Sequence, residues 1–125
     1  MRAVDTNVLV RLFADDAKQT ARAINFIGNG AWLSHLVLAE TVWVLTSVYS
    51  LDRDTIARAV ETVLSNRSLT LQDRDVVADA LSLFRRHRGV DFSDCLIVST
   101  ARKHGHMPIG TFDTKLARVE GAEQV

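Results

Sequence analysis

The sequence lacks most of what would mark it as cross-linked, repetitive or membrane-bound. Its single cysteine, Cys95, leaves no internal disulfide to form. One proline and six glycines are too few for a long flexible linker. No repeat or low-complexity tract is present. No apolar run approaches the ~18 residues that suggest a membrane span. The N-terminus lacks the charged, then apolar, then small pattern of a secretory leader. Together these absences predict a reducing, cytoplasmic setting without membrane contact. An excess of one charge is missing too. Fifteen basic residues balance fifteen acidic ones, so net charge gives no pointer to nucleic acid. The 125 residues, 47% hydrophobic and 24% charged, predict one soluble domain, 1–125, with one core.

Short strand patterns alternate with longer helical ones. "RAV" at 2–4 reads as a short buried strand, followed by helical spacing at Val8, Leu9, Leu12 and Phe13. "DDAKQTARAINFIG" repeats that spacing at Ala17, Ala21, Ile24 and Ile27, between aspartates and Gly28. "AWLS" reads as a strand, and "HLVLAETVWVLTSVY" is long enough to favour helix. An amphipathic helix follows, with Ile56, Val60, Val63 and Leu64 inward, then the alternating "SLTLQ". Val76, Val77, Ala80, Leu81 and Phe84 mark one face of the next helix, and "DFSDCLIVSTARKHG" another that ends at Gly105. "MPIGTFD" is a strand with Pro108 at its start or edge. The tail allows one helical turn and a last short strand. This alternation predicts an α/β protein, a three-layer α/β/α sandwich on a small, mainly parallel sheet. In such folds ligands gather at the carboxyl ends of the strands.

Against that plan, four carboxylates stand out. Asp5 closes the first strand and Asp113 closes "GTF". Either could simply cap the helical turn that follows, and Thr6 or Asn7 could replace Asp5 in that task. Glu40 falls at helical spacing among Leu36, Val37, Trp43 and Val44, an apolar stripe on which an unpaired carboxylate is costly. A partly exposed place at the stripe's edge is the alternative. Asp94 has Ile97, Val98 and Ala101 along its own stripe. Asp91 and Asp94 together have the spacing of a capping box.

If these strand and helix ends meet, four acids converge. At ~5 Å and an effective dielectric near 20, each pair repels by roughly 3 kcal/mol. Such a cluster needs raised pKa values or a bound cation. Oxygen donors alone favour Mg²⁺ or Mn²⁺ over zinc. His35, His87, His104 and His106 form no zinc pattern, and no phosphate-binding glycine loop or nucleophile elbow is present. Cys95 is most simply a small buried hydrophobe.

The segments "VDTNVLVRL", "LVLAETVWVL", "DFSDCLIVSTARKHG" and "IGTFDTKL" together resemble the PIN-domain ribonucleases, most nearly the VapC-type toxins of toxin–antitoxin pairs. The resemblance runs over nearly the whole chain, in order. It implies an acidic quartet of Asp5, Glu40, Asp94 and Asp113 that is both catalytic and metal-holding. It adds Asp91 as an accompanying acid, with Thr6, Asn7 and Thr111 as the polar residues that orient carboxylates or waters. It implies a Mg²⁺- or Mn²⁺-dependent endoribonuclease, usually dimeric, held in check by a small antitoxin protein in the active-site groove. Arg85, Arg86, Arg88, Arg102 and Lys103 are the cations available to hold RNA phosphates. The "RRHR" run fits equally well as the cationic end of a helix.

Three rivals share the fold pattern. A phosphoryl-accepting receiver domain needs paired acids after its first strand, where this chain has one, and gives Glu40 no role. A haloacid-dehalogenase-type phosphatase needs a second aspartate two residues after the first, where this chain has Asn7. A catalytically idle binding partner would retain four costly acids without use.

Overall fold

The computed structural model describes all residues, 1–125, in the order β1 (Arg2–Ala3), α1 (Thr6–Val10), α2 (Ala17–Ile27), β2 (Ala31–Leu33), α3 (His35–Ser47), α4 (Arg53–Ser65), β3 (Leu69–Leu71), α5 (Arg74–Arg86), α6 (Phe92–Lys103), β4 (Ile109–Thr111), a single 3-10 turn (Leu116–Arg118) and β5 (Ala122–Gln124). The class is α/β with short parallel strands, as the alternation predicts. The chain divides into two compact units, Met1–Arg74 and Asp75–Val125. No helix is long and apolar enough to cross a membrane.

In the first unit the strands form a parallel sheet of order β1-β2-β3. Arg2 pairs with Ala31, and Trp32 with Thr70. Parallel neighbours need a crossover, and helices supply it. Every helix here begins on a side chain that accepts a backbone N–H: Asp5 from Val8 (3.3 Å), Asp16 from Gln19 (3.1 Å), Ser34 from Val37 (3.1 Å) and Asp52 from Thr55 (2.8 Å). Each satisfies a donor that the first helical turn leaves open. Gln72, just past β3, adds a bridge: its Oε1 accepts the His35 N–H at 2.9 Å.

Apolar burial explains which helix face turns inward. Leu9, Leu33, Leu38, Leu45, Ile56, Val60 and Val63 are fully enclosed. Two expectations fail here. Arg2 and Ala3 are exposed, so β1 is an edge strand rather than a buried one. Only Val4, just beyond it, is buried. Arg2 instead lays its guanidinium over the Phe26 ring, 3.7 Å from the centroid. On α2 the inward residues are Ala23 and Ile27, while Ile24 is 57% exposed. Ala17, Ala21 and Ile24 share helical spacing, but they lie on the solvent side.

The second unit has its own parallel pair, β4 with β5, in which Ile109 faces Ala122. The parallel ladders are therefore two small sheets rather than the single one expected. The last short strand is formed. Val77, Ala80, Leu83, Cys95 and Val98 are fully buried, and Phe84 meets Phe92 edge-to-face at 5.7 Å. Gly105, at φ 77°, ends α6 in the left-handed region that side chains resist.

These positions predict opposite outcomes for two similar truncations. Leu38→Ala, at a site 1% exposed, costs about 2–5 kcal/mol of stability. Ile24→Ala stays within about 0.5 kcal/mol. Urea unfolding of both variants is the check.

Candidate active site

In the first unit the ladder carries one residue beyond β1, since the Val4 N–H donates to the Trp32 carbonyl at 3.0 Å. That places Asp5 directly at the strand's carboxyl end. Asp5 is exposed and caps α1 through Oδ1, so capping and a free Oδ2 coexist. Thr6, the first helical residue, donates its hydroxyl to Glu40 Oε2 at 2.8 Å across 34 positions of sequence. This bond ties the start of α1 to the second turn of α3. Asn7 is exposed and shares with Asp5 the wall of a cleft between α1 and α2.

Glu40 does not lie where the stripe argument put it. The buried residues of α3 are Leu38, Thr41, Val42 and Leu45. Leu36 and Trp43 are 67% and 65% exposed, and Glu40 is exposed with them. The apolar stripe faces outward, so Glu40 does not carry the burial inferred from sequence. It is a solvated carboxylate held by one hydroxyl.

In the second unit Asp94 is half-buried in the first turn of α6. Burial pushes its carboxyl above the usual range, and the negative charges of Asp91 and Asp113 push the same way. Asp91 stands at the N-cap position but makes no side-chain cap bond, so the expected capping box is not formed. The Asp113 N–H donates to Thr111 Oγ1 at 3.0 Å, and Asp113 Oδ1 accepts from the Lys115 and Leu116 N–H groups at 2.8 and 3.3 Å. The loop after β4 is thus pinned with its acid in place. Thr111 acts on the Asp113 backbone rather than on a carboxylate.

The basic residues named from sequence are largely occupied with this unit's own acids. Arg86 pairs with Glu120 at 3.5 Å, Arg102 with Asp79 at 3.0 Å, and Lys103 with Asp75 at 3.0 Å. Arg102 also donates to the Glu120 carbonyl at 2.7 Å. The Lys103 hydrogen bond holds the Asp75 carboxyl below its usual value. Arg85 and Arg86 close α5, as a helix C-terminus favours. Arg88 borders a cleft of about 220 Å³ with His87, Gly89, Val90, Lys115 and Arg118. Arg118, and Arg11 and Arg22 in the cleft with Asp5, do not stand out in the sequence. Isolated cations carry no spacing signal, and only the packing of their helices groups them.

No three His, Cys, Asp or Glu side chains are gathered as a ready-made metal site. The candidate donors nevertheless fit a hard cation. They are all carboxylate oxygens, and Asp94 sits in the field of two other acids, a strain that positive charge relieves.

Short parallel strands that deliver acids to the starts of helices define an acid-centred α/β protein. The sequence matches the PIN domain family over residues 2–122. The chain belongs to that family, whose members are typically metal-dependent nucleases. No curated protein matches it.

The raised Asp94 pKa sets a pH dependence. The folded state holds this proton more tightly than the unfolded chain does. The ionised carboxylate therefore costs stability above its raised pKa, and the cost vanishes as pH falls to the ordinary aspartate range. In EDTA, Asp94→Asn should melt higher than wild type at pH 7, with the gap closing toward acid pH. Thermal melts across that range check it.

Proposed function

We propose that the chain is a Mg²⁺- or Mn²⁺-dependent endoribonuclease that acts as the toxin of a type II toxin–antitoxin module. Its family membership over residues 2–122 supports the nuclease part of this reading. The whole chain, 1–125, would work as one nuclease domain in the cytoplasm, as a homodimer and under a cognate antitoxin protein. Outward apolar residues on and after α3, Leu36, Trp43 and Val48, supply surface for a protein partner.

In this reading Asp5, Glu40 and Asp94 would hold the cation and Asp113 would complete the set. A divalent cation held there would acidify a water and supply positive charge beside the phosphodiester. The chain's own residues do the positioning. Thr6, through its 2.8 Å bond, fixes one oxygen of Glu40 and leaves the other for ligation. Oδ1 of Asp5 is tied to the Val8 N–H, which orients the carboxylate and leaves Oδ2 outward. The Lys115 and Leu116 amides hold Asp113 Oδ1 in the same manner, while Thr111 accepts from the Asp113 backbone N–H. The negative charge of Asp91 adds to the pull on a cation near Asp94.

Asp5→Asn tests the assignment cleanly, because asparagine caps a helix about as well as aspartate. The variant should keep wild-type stability and lose at least about a hundredfold in Mn²⁺-dependent cleavage of total RNA. That loss is no smaller than the 10–100-fold typical of a ligand's supporting partner. Full activity would sink the reading. Thr6→Val should fall within that same range of about 10–100-fold, measured with the same assay.

A further inference from the structure

We propose that the cleft between α1 and α2 is a nucleotide subsite for single-stranded RNA, with Arg11 and Arg22 on the phosphate and Phe26, Gln19 and Asn7 against the base. The proposal rests on the nuclease reading above and extends it from the acids to the substrate. The cleft has a volume of about 390 Å³. That is in the range of sites for small ligands, roughly 300–1,000 Å³. Its lining is Asp5, Asn7, Val8, Arg11, Gln19, Arg22, Ala23 and Phe26.

Each wall has the chemistry of one part of a nucleotide. Two guanidinium groups face one carboxylate, so the cleft has a surplus of positive charge apart from the Asp5 end. Arg11 is preset: its Nη1 donates to the Ala14 carbonyl at 3.1 Å and to the Tyr49 hydroxyl at 3.3 Å. Its Nε is buried and makes no hydrogen bond. Arg22 lies on the exposed side of α2, engaged by no acid of the chain. A planar fork of donors matches phosphate oxygens better than a point charge does.

Phe26 is half-buried and braced by the Arg2 guanidinium stacked 3.7 Å from its centroid. Aromatic rings and guanidinium planes are the surfaces on which unpaired bases stack. Gln19 and Asn7 each bring an amide, donor and acceptor together, suited to base edges. An acidic peptide would answer the arginines but leave the ring and amides without purpose. Asp5 forms part of the same wall, so a nucleotide seated here lies next to a candidate catalytic acid.

The experiment is fluorescence anisotropy with the full chain and a labelled single-stranded RNA of about ten nucleotides, within the ~4–16 typical of single-strand sites. EDTA prevents cleavage, and salt is varied. Arg22→Ala should lower the salt slope by about 0.7, which at 0.1 M salt is about five-fold weaker binding. Arg22→Lys should recover part of the loss. Arg58→Ala, on α4, should leave the slope unchanged. Equal binding by wild type and Arg22→Ala, or an equal loss in Arg58→Ala, would overturn the subsite. So would a polyglutamate peptide that displaces the RNA and binds with the same dependence on Arg22. Wild type that binds no RNA in EDTA would overturn it too. The nuclease reading stands or falls separately, on Mn²⁺-dependent cleavage by wild type and Asp5→Asn.

Discussion

Parallel pairing of very short strands is the constraint on which the rest depends. A parallel ladder points every strand the same way, so all of them release the chain at one edge. At that edge the first unit must start a helix after nearly every strand. The residues found there are therefore capping side chains: Asp5 after β1, Ser34 after β2 and Gln72 after β3. With only two or three residues per strand, little else of each strand can carry chemistry. The same logic operates after β4, where Asp113 holds the following turn by two backbone amides. Capping leaves these acids free for the role proposed for them. One carboxylate oxygen satisfies the helix start and the other remains for a ligand.

Glu40 and Asp94 reach their places by a different route. Both lie within helices, one on α3 and one in the first turn of α6. Glu40 is exposed and steadied by Thr6, while Asp94 is half-buried and destabilised by its acidic neighbours. The contrast has a chemical reading. A carboxylate that is hard to ionise, as Asp94 is, gains most from a nearby cation.

Much of this was legible in the residue pattern. Helix positions followed from apolar periodicity, and Asp5 and Asp113 from the strand ends they close. The failures on α2 and α3 share one cause. Periodicity finds an apolar face but not what that face meets. The stripe around Glu40 and the spacing of Ile24 are both real, yet both look outward because other residues of the same helices fill the core. β1 reads as buried from its Val4, while Arg2 and Ala3 occupy an open edge. Asp91 has the spacing of a capping box without making the bond. The basic residues were hardest, since a cation's partner is set by tertiary packing. Arg86, Arg102 and Lys103 turn to Glu120, Asp79 and Asp75, while Arg11 and Arg22 come to flank Asp5.

The proposed function requires that Asp5, Glu40, Asp94 and Asp113 hold one cation. Calorimetric titration of Mn²⁺ into the full chain, wild type beside Glu40→Gln and Asp94→Asn, tests it most directly. The account predicts that wild type binds Mn²⁺ and that each single substitution weakens binding by at least about tenfold. Wild-type affinity in either variant would contradict it, because that acid would then not share the site.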